Sequence, residues 1–467
     1  MVKISVRVPN KQPKPSTFFR SYRPGISWPA VPNDKASQLL ALLFQLEKSQ
    51  WWSAEKLRRS QFTQALNLLH HARKTVPFYK DSLSFLEGVS ELNEDLWKKV
   101  PVLSRQDIQD SEEQLLSTNI PTSHGKVSEI RTAGSTGKPV KVKRTETFLF
   151  FHNVFTLREH LWLDQNLNAR QMVIRSVKGL APGRVKVQNS WGLPYNLMYN
   201  TGQSVIMEIT TDLETQLQNL IKYQPDYLLT YPSNLNALLH YGKSEFIKQL
   251  NLRQVRTISE SVSDELRMEV LDKLGVKLVD LYTSHEAGVM ALQCPEHKHY
   301  HVQSENVILE VMHEDGRPCK SGEIGRVFIT SLHNFAMPLI RYNLLDYVEV
   351  GEHCECGRGL PVLKRILGRS RDMMVMPDGS RIFPSIVAGA LKVAEVAPVA
   401  QIQVIQHTVD NLEAKLVAVR KLTEDEEKNV INALRESLGH PFRIRLTYQD
   451  EIPRTPGGKF FPFISLV

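Results

Sequence analysis

Five short apolar stretches, QMVIRSV, SVIMEIT, DYLLTY, VRTIS and VKLVDLY, follow one another between residues 171 and 282, and helix-patterned segments such as LETQLQNLIKY and SDELRMEVLDKL separate them. Short strands that are apolar nearly throughout belong in a sheet covered on both faces, and an amphipathic helix between two of them is the crossover that parallel pairing needs. The alternation therefore predicts an α/β body built on a mixed sheet.

Helical spacing of Leu39, Leu40, Leu42, Leu43 and Leu46 predicts a helix from Lys35. A second begins at Ser53, runs through Leu66 and Leu69, and ends before Pro77. After Leu367 the pattern changes. MMVMPDGSRIF reads as a hairpin around Pro377-Asp378-Gly379, a helix follows Pro384, and QIQVIQH, LEAKLVAV and FRIRLTYQ read as strands. A capping box, Thr423 with Glu426, opens a helix that Gly439 closes. The expected organisation is a large α/β N-terminal domain with mixed sheets over residues 1–367 and a small, mobile α+β C-terminal domain over 368–467.

Composition narrows the function. The chain has 467 residues, and 58 Lys plus Arg against 50 Asp plus Glu leave a formal charge of +8. No concentrated basic run accompanies it, so a dedicated nucleic-acid footprint is not expected, whereas small anionic substrates fit. No apolar run reaches the ~18–20 residues of a membrane span, and MVKISVRVPN alternates like a strand and lacks the apolar block of a signal peptide. A soluble, cytoplasmic protein is expected. Four cysteines in 467 residues exclude a small disulfide scaffold.

Chemistry concentrates in five places. In RTAGSTGKPVKV, residues 131 to 142, Gly134 and Gly137 free the backbone to turn N–H groups toward an anion, Ser135 and Thr136 add hydroxyls, and Lys138 adds charge. Strands flank this loop, and its glycines are too close together for a Walker motif. A hairpin loop of small residues is the alternative reading. VDLYTSHEAG delivers Tyr282, Thr283, Ser284, His285 and Glu286 to a strand end, where ligands of α/β sheets gather and where a carboxylate suits Mg²⁺. PLIRYNLLDYVEV places Arg341 and Asp346 around a short segment, and an Asp can accept from a ribose diol. LGRSRDMM sets Arg369 and Asp372 at the proposed domain boundary, and PRTPGGK carries Lys459 on an adaptable loop.

In this order and spacing the five motifs resemble the adenylate-forming superfamily of acyl- and aryl-CoA ligases, and within it the phenylacetate-CoA ligase-like branch that includes coenzyme F390 synthetases and capsule-biosynthesis proteins. QWWSAEKLRRSQFTQALNLLHHARKTVPFYKD resembles the N-terminal helices of that branch, so the similarity runs from about residue 45 onward. The resemblance implies ATP-dependent conversion of a carboxylic acid, aryl or small acyl, to acyl-AMP with release of pyrophosphate, and then transfer to a thiol, CoA or the phosphopantetheine of a carrier protein. An amine acceptor and an inactive scaffold homologue are the alternatives.

It also implies roles. Ser135, Thr136, Gly137 and Lys138 would contact the ATP phosphates and Glu286 would hold Mg²⁺. Ser259, Glu260, Ser261, Tyr282, Thr283 and Ser284 would line the adenine pocket. Asp346, helped by Arg369, would hold the ribose, Asp372 would be the hinge, and Lys459 the catalytic lysine. Residues 225 to 238, with Trp191, Tyr195 and His333, are expected near the acyl pocket. Two positions depart from the family: Leu345 stands where a glycine usually precedes the ribose Asp, and Phe460 and Phe461 follow the lysine in place of basic residues.

QCPEHKHYHV and HCECGRG together hold Cys294, His297, His299, His301, His353, Cys354 and Cys356. Three thiols and an imidazole suffice for a closed tetrahedral Zn²⁺ site, a commoner use of paired cysteines in a reducing compartment than a disulfide. The resemblance favours Cys294, His301, Cys354 and Cys356, with His297 and His299 as competing imidazoles. Four protein ligands leave no open position, so such a zinc would be structural. Unliganded surface Cys and His are the alternative reading, and Cys319 has no assigned role.

Overall fold

The computed structural model describes residues 19–131, 139–241, 244–384, 386–455 and 458–467. One sheet of twelve strands forms the backbone of the large body. Neighbours run parallel from Ser204–Glu208 across Gln171–Arg175, Tyr227–Thr230 and Gln254–Thr257 to Lys277–Ser284. Beyond Lys277–Ser284 every pair is antiparallel, through Gly288–Gln293, Tyr300–Val302, Val362–Arg369, Tyr342–Val350, Ile324–Ser331 and Val307–Met312. Val185–Gln188 closes the opposite edge, antiparallel to Ser204–Glu208.

The sheet thus changes character at Lys277–Ser284. Its parallel neighbour requires a crossover, here the helix Asp264–Leu274, whereas its antiparallel neighbour begins after a turn of three residues, His285 to Ala287. Such a change leaves a crevice at the strand end that crossovers do not cover. Leu278 to Tyr282 are all buried, Asp280 among them, as a strand covered on both faces requires.

The N-terminal helices lie where their spacing predicts. Asp34–Ser49 is capped by the Asn33 side chain and buries Ala36, Leu39, Leu43 and Leu46; Ala54–Thr75 is capped by Ser53 and stops before Pro77. The first is fixed to the body by Arg158, which donates to the Leu46 carbonyl, to Gln303 and to Glu305. The loop around Arg358 packs so closely on the following turn that a Cβ at Gly359 would lie 1.7 Å from the Trp52 carbonyl oxygen, which admits no side chain.

The C-terminal residues build their own core around Met374, Ile402, Val404, Leu416, Leu434 and Phe463. Four strands, in the order Arg443–Tyr448, Asn411–Ala418, Val399–Gln406 and Phe463–Ser465, carry the helices Ile386–Val396 and Glu424–Leu438. Met374–Val375 and Arg381–Ile382 form the hairpin around Pro377-Asp378-Gly379. Thr423 and Glu426 make the reciprocal capping bonds, and Gly439 ends the helix in the left-handed conformation. Among the described residues no helix is long and apolar enough to cross a membrane.

Candidate active site

A cleft of about 1680 Å³ opens at the end of Lys277–Ser284, and Ser259 to Ser261, Tyr282 to Glu286, Asp346, Arg369, Asp372 and Lys459 all line it. Register brings the first pair together. Asp346 and Arg369 stand directly opposite in antiparallel strands, and the Arg369 Nε donates to Asp346 Oδ1 at 3.2 Å. The Tyr282 hydroxyl donates to the other carboxylate oxygen at 2.7 Å. Burial acts against the Arg369 charge, yet Asp346 and then Glu286 hold its guanidinium above the usual arginine range. Asp372 accepts from the Arg369 amide at 2.9 Å, and burial pushes its carboxyl up. Glu286, only 4% exposed, occupies the turn beyond Ser284.

Leu345 retains the backbone that a glycine would supply. Its φ is +64°, and its amide donates to Asn343 Oδ1 at 3.0 Å. A left-handed conformation costs an L-residue about 1–2 kcal/mol. The local side-chain bond offsets part of that cost, and Asp346 still faces Arg369.

The Lys459 loop reaches this cleft from the C-terminal residues through a buried carboxylate. Glu260 Oε1 accepts from the Phe460 amide at 2.8 Å and from Ser233 Oγ at 3.1 Å, and its Oε2 accepts from the Ser233 amide at 2.9 Å. Arg454 Nη1 donates to Ser233 Oγ at 2.9 Å and to the Gly458 carbonyl at 3.1 Å. Burial raises Glu260, and Phe460 and Arg454 pull it back. Glu260 lines the cleft, but its oxygens are taken up by the tail loop at Phe460 and by Ser233. Burial, and then Arg369, push the Lys459 ammonium below its usual range, while Asp346, Glu260 and Glu286 act to keep it charged.

Ser135, Thr136, Gly137 and Lys138 lie outside the described residues. The strands that flank them, Val127–Arg131 and Lys141–Thr145, pair antiparallel as the sequence predicts. Three residues expected near an acyl pocket do not line the cleft. Trp191 and Tyr195 pack on each other with ring centroids 5.4 Å apart inside a core, the indole bonded to the Ala169 carbonyl, and His333 stacks on Phe151 at 3.6 Å. Their aromatic surface is spent on packing. From the segment 225–238 only Pro232, Ser233, Asn236 and Ala237 reach the cleft. Arg341 is a core residue too, held by Glu310 and by the Val100 carbonyl.

Sequence reasoning missed Arg144, His152, Ile130 and Gly288, which line the cleft beside Glu286. The available signal was spacing: Arg144, Phe148 and His152 recur every four residues across a strand-to-helix junction.

The second cluster lies under the N-terminal helices. Cys294, His299, His301 and Cys354 offer donor atoms all within 4.8 Å of one another, and Cys356 Sγ is 3.4 Å from His301 Nε2. Cys294 and Cys354 are free thiols with sulfurs 3.9 Å apart. Two thiolates on one tetrahedral zinc, at ~2.3 Å each, stand about 3.8 Å apart. Among the described residues, His299 Nε2 and His301 Nδ1 are buried without a hydrogen-bond partner. The donor set and spacing fit zinc. His299 joins Cys294, His301 and Cys354 in this group, while His297 stacks on His299 at 5.1 Å. Cys319 lies apart, grouped with His313 and Glu323.

A family model described as the CapK C-terminal domain matches residues 374–465. A phenylacetate-coenzyme A ligase of Thermus thermophilus is 27% identical over 457 residues, covering 88% of this chain and 97% of its own. Protein CapK of Staphylococcus aureus is 22% identical, covering 86% and 87%. A crystal structure of 2-hydroxyisobutyryl-CoA ligase in the postadenylation state matches with a TM-score of 0.69 at 15% identity, over 90% of this chain and 91% of that one. The same enzyme in the thioesterification state matches at 0.55, over 96% and 97%.

Proposed function

We propose that this chain, which belongs to the adenylate-forming superfamily and within it to the branch of phenylacetate-CoA ligases and CapK, joins a small carboxylic acid to AMP and then passes the acyl group to the thiol of CoA. The observation that carries this reading is the convergence of Glu286, Asp346, Arg369 and Lys459, from four separate segments, on one cleft at the sheet's switch point. A carboxylate attacking the α-phosphorus of ATP needs positive charge at a crowded anionic centre and no side-chain nucleophile.

Asp346, oriented by Tyr282 and Arg369, would accept from the ribose hydroxyls. Ser259 and Ser261, with the strand end at Thr283 and Ser284, would wall the adenine. Lys459 would lie between the α-phosphate and the attacking carboxylate oxygen, and Ser135, Thr136, Gly137 and Lys138 would cradle the outer phosphates. Glu286 would hold Mg²⁺, which supplies neutralisation of the departing pyrophosphate when bound. Cys294, His301 and Cys354, completed by His299 or Cys356, would hold a structural Zn²⁺ that ties the loop after Gly288–Gln293 to the loop before Val362–Arg369.

Lys459 reaches the cleft only while Glu260 and Arg454 hold its loop. The higher match to the postadenylation arrangement of a related fold supports reading this as the adenylating state. Thiol attack needs the lysine withdrawn, and residues 368–467 are proposed to turn about Asp372 for that step.

The test is incubation with ATP, Mg²⁺, CoA and a carboxylic-acid panel, scored by AMP release and by the mass of the product. The expected products are AMP, pyrophosphate and an acyl-CoA. Product on an added amine or carrier-protein thiol in place of CoA would reassign the acceptor, and acid-independent ATP cleavage would refute the reading.

A further inference from the structure

Four buried or half-buried arginines in this chain come with carboxylates, Arg158 with Glu305, Arg256 with Glu159, Arg341 with Glu310 and Arg369 with Asp346, while Arg170, Arg267 and Arg435 donate to carbonyl, amide or phenol oxygens. Among the described residues Arg144 has neither. It is only partly exposed, lines the cleft, and has no ion pair among the described residues. Its Nε is buried without a hydrogen-bond partner among the described residues. Burial lowers its pKa with no neighbouring charge to offset the effect. The adjoining loop, residues 132–138, reads TAGSTGK and contains no acidic residue that could serve.

The surroundings make this a pocket wall. Arg144 is the penultimate residue of Lys141–Thr145, and its guanidinium carbon stands 5.7 Å from the Phe148 ring centroid on the helix that follows. One turn further along the same face is His152, whose imidazole burial holds neutral at a pKa of about 4. A neutral imidazole offers one N–H donor. Gly288, two residues past Glu286, faces both: a Cβ there would meet His152 Nδ1 and Phe148 Cζ at 3.5 Å. The absent side chain leaves the space between the strand end and these two rings open. Ile130 borders the same cleft.

A desolvated guanidinium without a partner is costly, and the cost disappears when an anion enters, because a carboxylate accepts from it in a charge-assisted, often bidentate, bond. An acid ending in a bare phenyl or alkyl group would leave the cation unpaired, and sites with unpaired buried polar groups discriminate strongly against the ligand that fails to pair them. We propose that the activated acid carries a second anionic group at its far end, and that Arg144 receives that group with the N–H of His152 beside it. This rests on the cleft being an acyl-adenylating site. Arg144 is then a specificity-determining residue, distinct from the groups at the reacting carboxylate.

Matched acids test it in the full-length protein: pentanedioate against pentanoate, and benzene-1,4-dicarboxylate against 4-methylbenzoate, each pair differing in the terminal group. Acid-dependent exchange of pyrophosphate into ATP is measured for the wild type, Arg144→Gln, Arg144→Lys and His152→Ala, with thermal melting as the folding control. In at least one pair the diacid should be preferred by tenfold or more in kcat/KM. Arg144→Gln should lower the diacid value at least tenfold, leave the monoacid within threefold and leave the KM for ATP within twofold. Arg144→Lys should retain part of the preference, and it serves as the reporter if Arg144→Gln does not fold. Preference for the monoacid in both pairs overturns the proposal while the adenylating activity stands. A rise in the KM for ATP in Arg144→Gln would move the arginine to the phosphates and overturn it as well. No exchange with any acid, phenylacetate included, would instead remove the adenylating reading, and this inference with it.

Discussion

Removing the charge of Glu260 should uncouple the two half-reactions. Its carboxylate accepts three hydrogen bonds, one from the Phe460 amide in the lysine loop and two from Ser233, and Arg454 stands 4.0 Å away. In Glu260→Gln one oxygen becomes an NH₂ group that cannot accept, so at least one donor is left facing another donor. Hydrogen bonds to a charged group contribute about 1.5–3 kcal/mol each. Neutralising the group that accepts from the Phe460 amide and faces the Arg454 charge should weaken docking of the loop by about 2 kcal/mol, roughly 30-fold in its closed population. Acid-dependent pyrophosphate exchange, for which Lys459 in the cleft is proposed to be needed, should fall by about that factor. Thioester formation from supplied acyl-AMP and CoA should change by less than about threefold, because it begins with the loop undocked. Equal loss of both rates, with unchanged melting, would refute the assignment of Glu260 as the anchor of the adenylating arrangement.

Leu345→Gly, at φ +64°, should change stability by less than about 1 kcal/mol, since relief of the left-handed strain offsets the lost side chain, whereas Leu344→Gly in the core should cost roughly 3 kcal/mol or more; chemical denaturation compares them. Burial pushes Asp280 up to about 6, while Arg267, Tyr300 and Thr257 act the other way. Against an unfolded value of about 3.9, the native state therefore binds more protons between these limits, and stability falls as pH rises through about 4 to 6. In Asp280→Asn that part of the decline should vanish, and melting curves across this range read it. Cys354→Ser should lower bound zinc, measured by elemental analysis, from one equivalent to a small fraction, and chelation should lower the melting temperature of the wild type but not of the variant.

The sheet was legible because its signal is local. Largely apolar runs such as VKLVDLY are best satisfied by burial on both faces, and Ser53 and Thr423 announce the helices they cap. The pairing of Asp346 with Arg369 was foreseen as a shared role, and the antiparallel register supplies the reason. What escaped depends on distance in sequence. Glu260 and Phe460 are 200 positions apart, and nothing in either neighbourhood records that a backbone amide meets a carboxylate. Trp191 and Tyr195 were read as pocket residues because aromatics serve cores and pockets alike, and only packing decides. His299 was placed behind His301 as a competing imidazole, since spacing in QCPEHKHYHV leaves open which imidazoles turn inward, and it stands in the donor group with Cys294, His301 and Cys354. Spacing with Phe148 and His152 could have pointed to Arg144, but not that it has no ion pair among the described residues, since that depends on what the fold brings near it.

Lys459→Ala addresses the central claim most directly, assayed for pyrophosphate exchange and, separately, for thiol transfer from supplied acyl-AMP. Loss of exchange below about a hundredth of the wild-type rate with thiol transfer retained is the predicted result. Exchange that persists at the wild-type rate, or equal loss of both reactions in a folded protein, would contradict it.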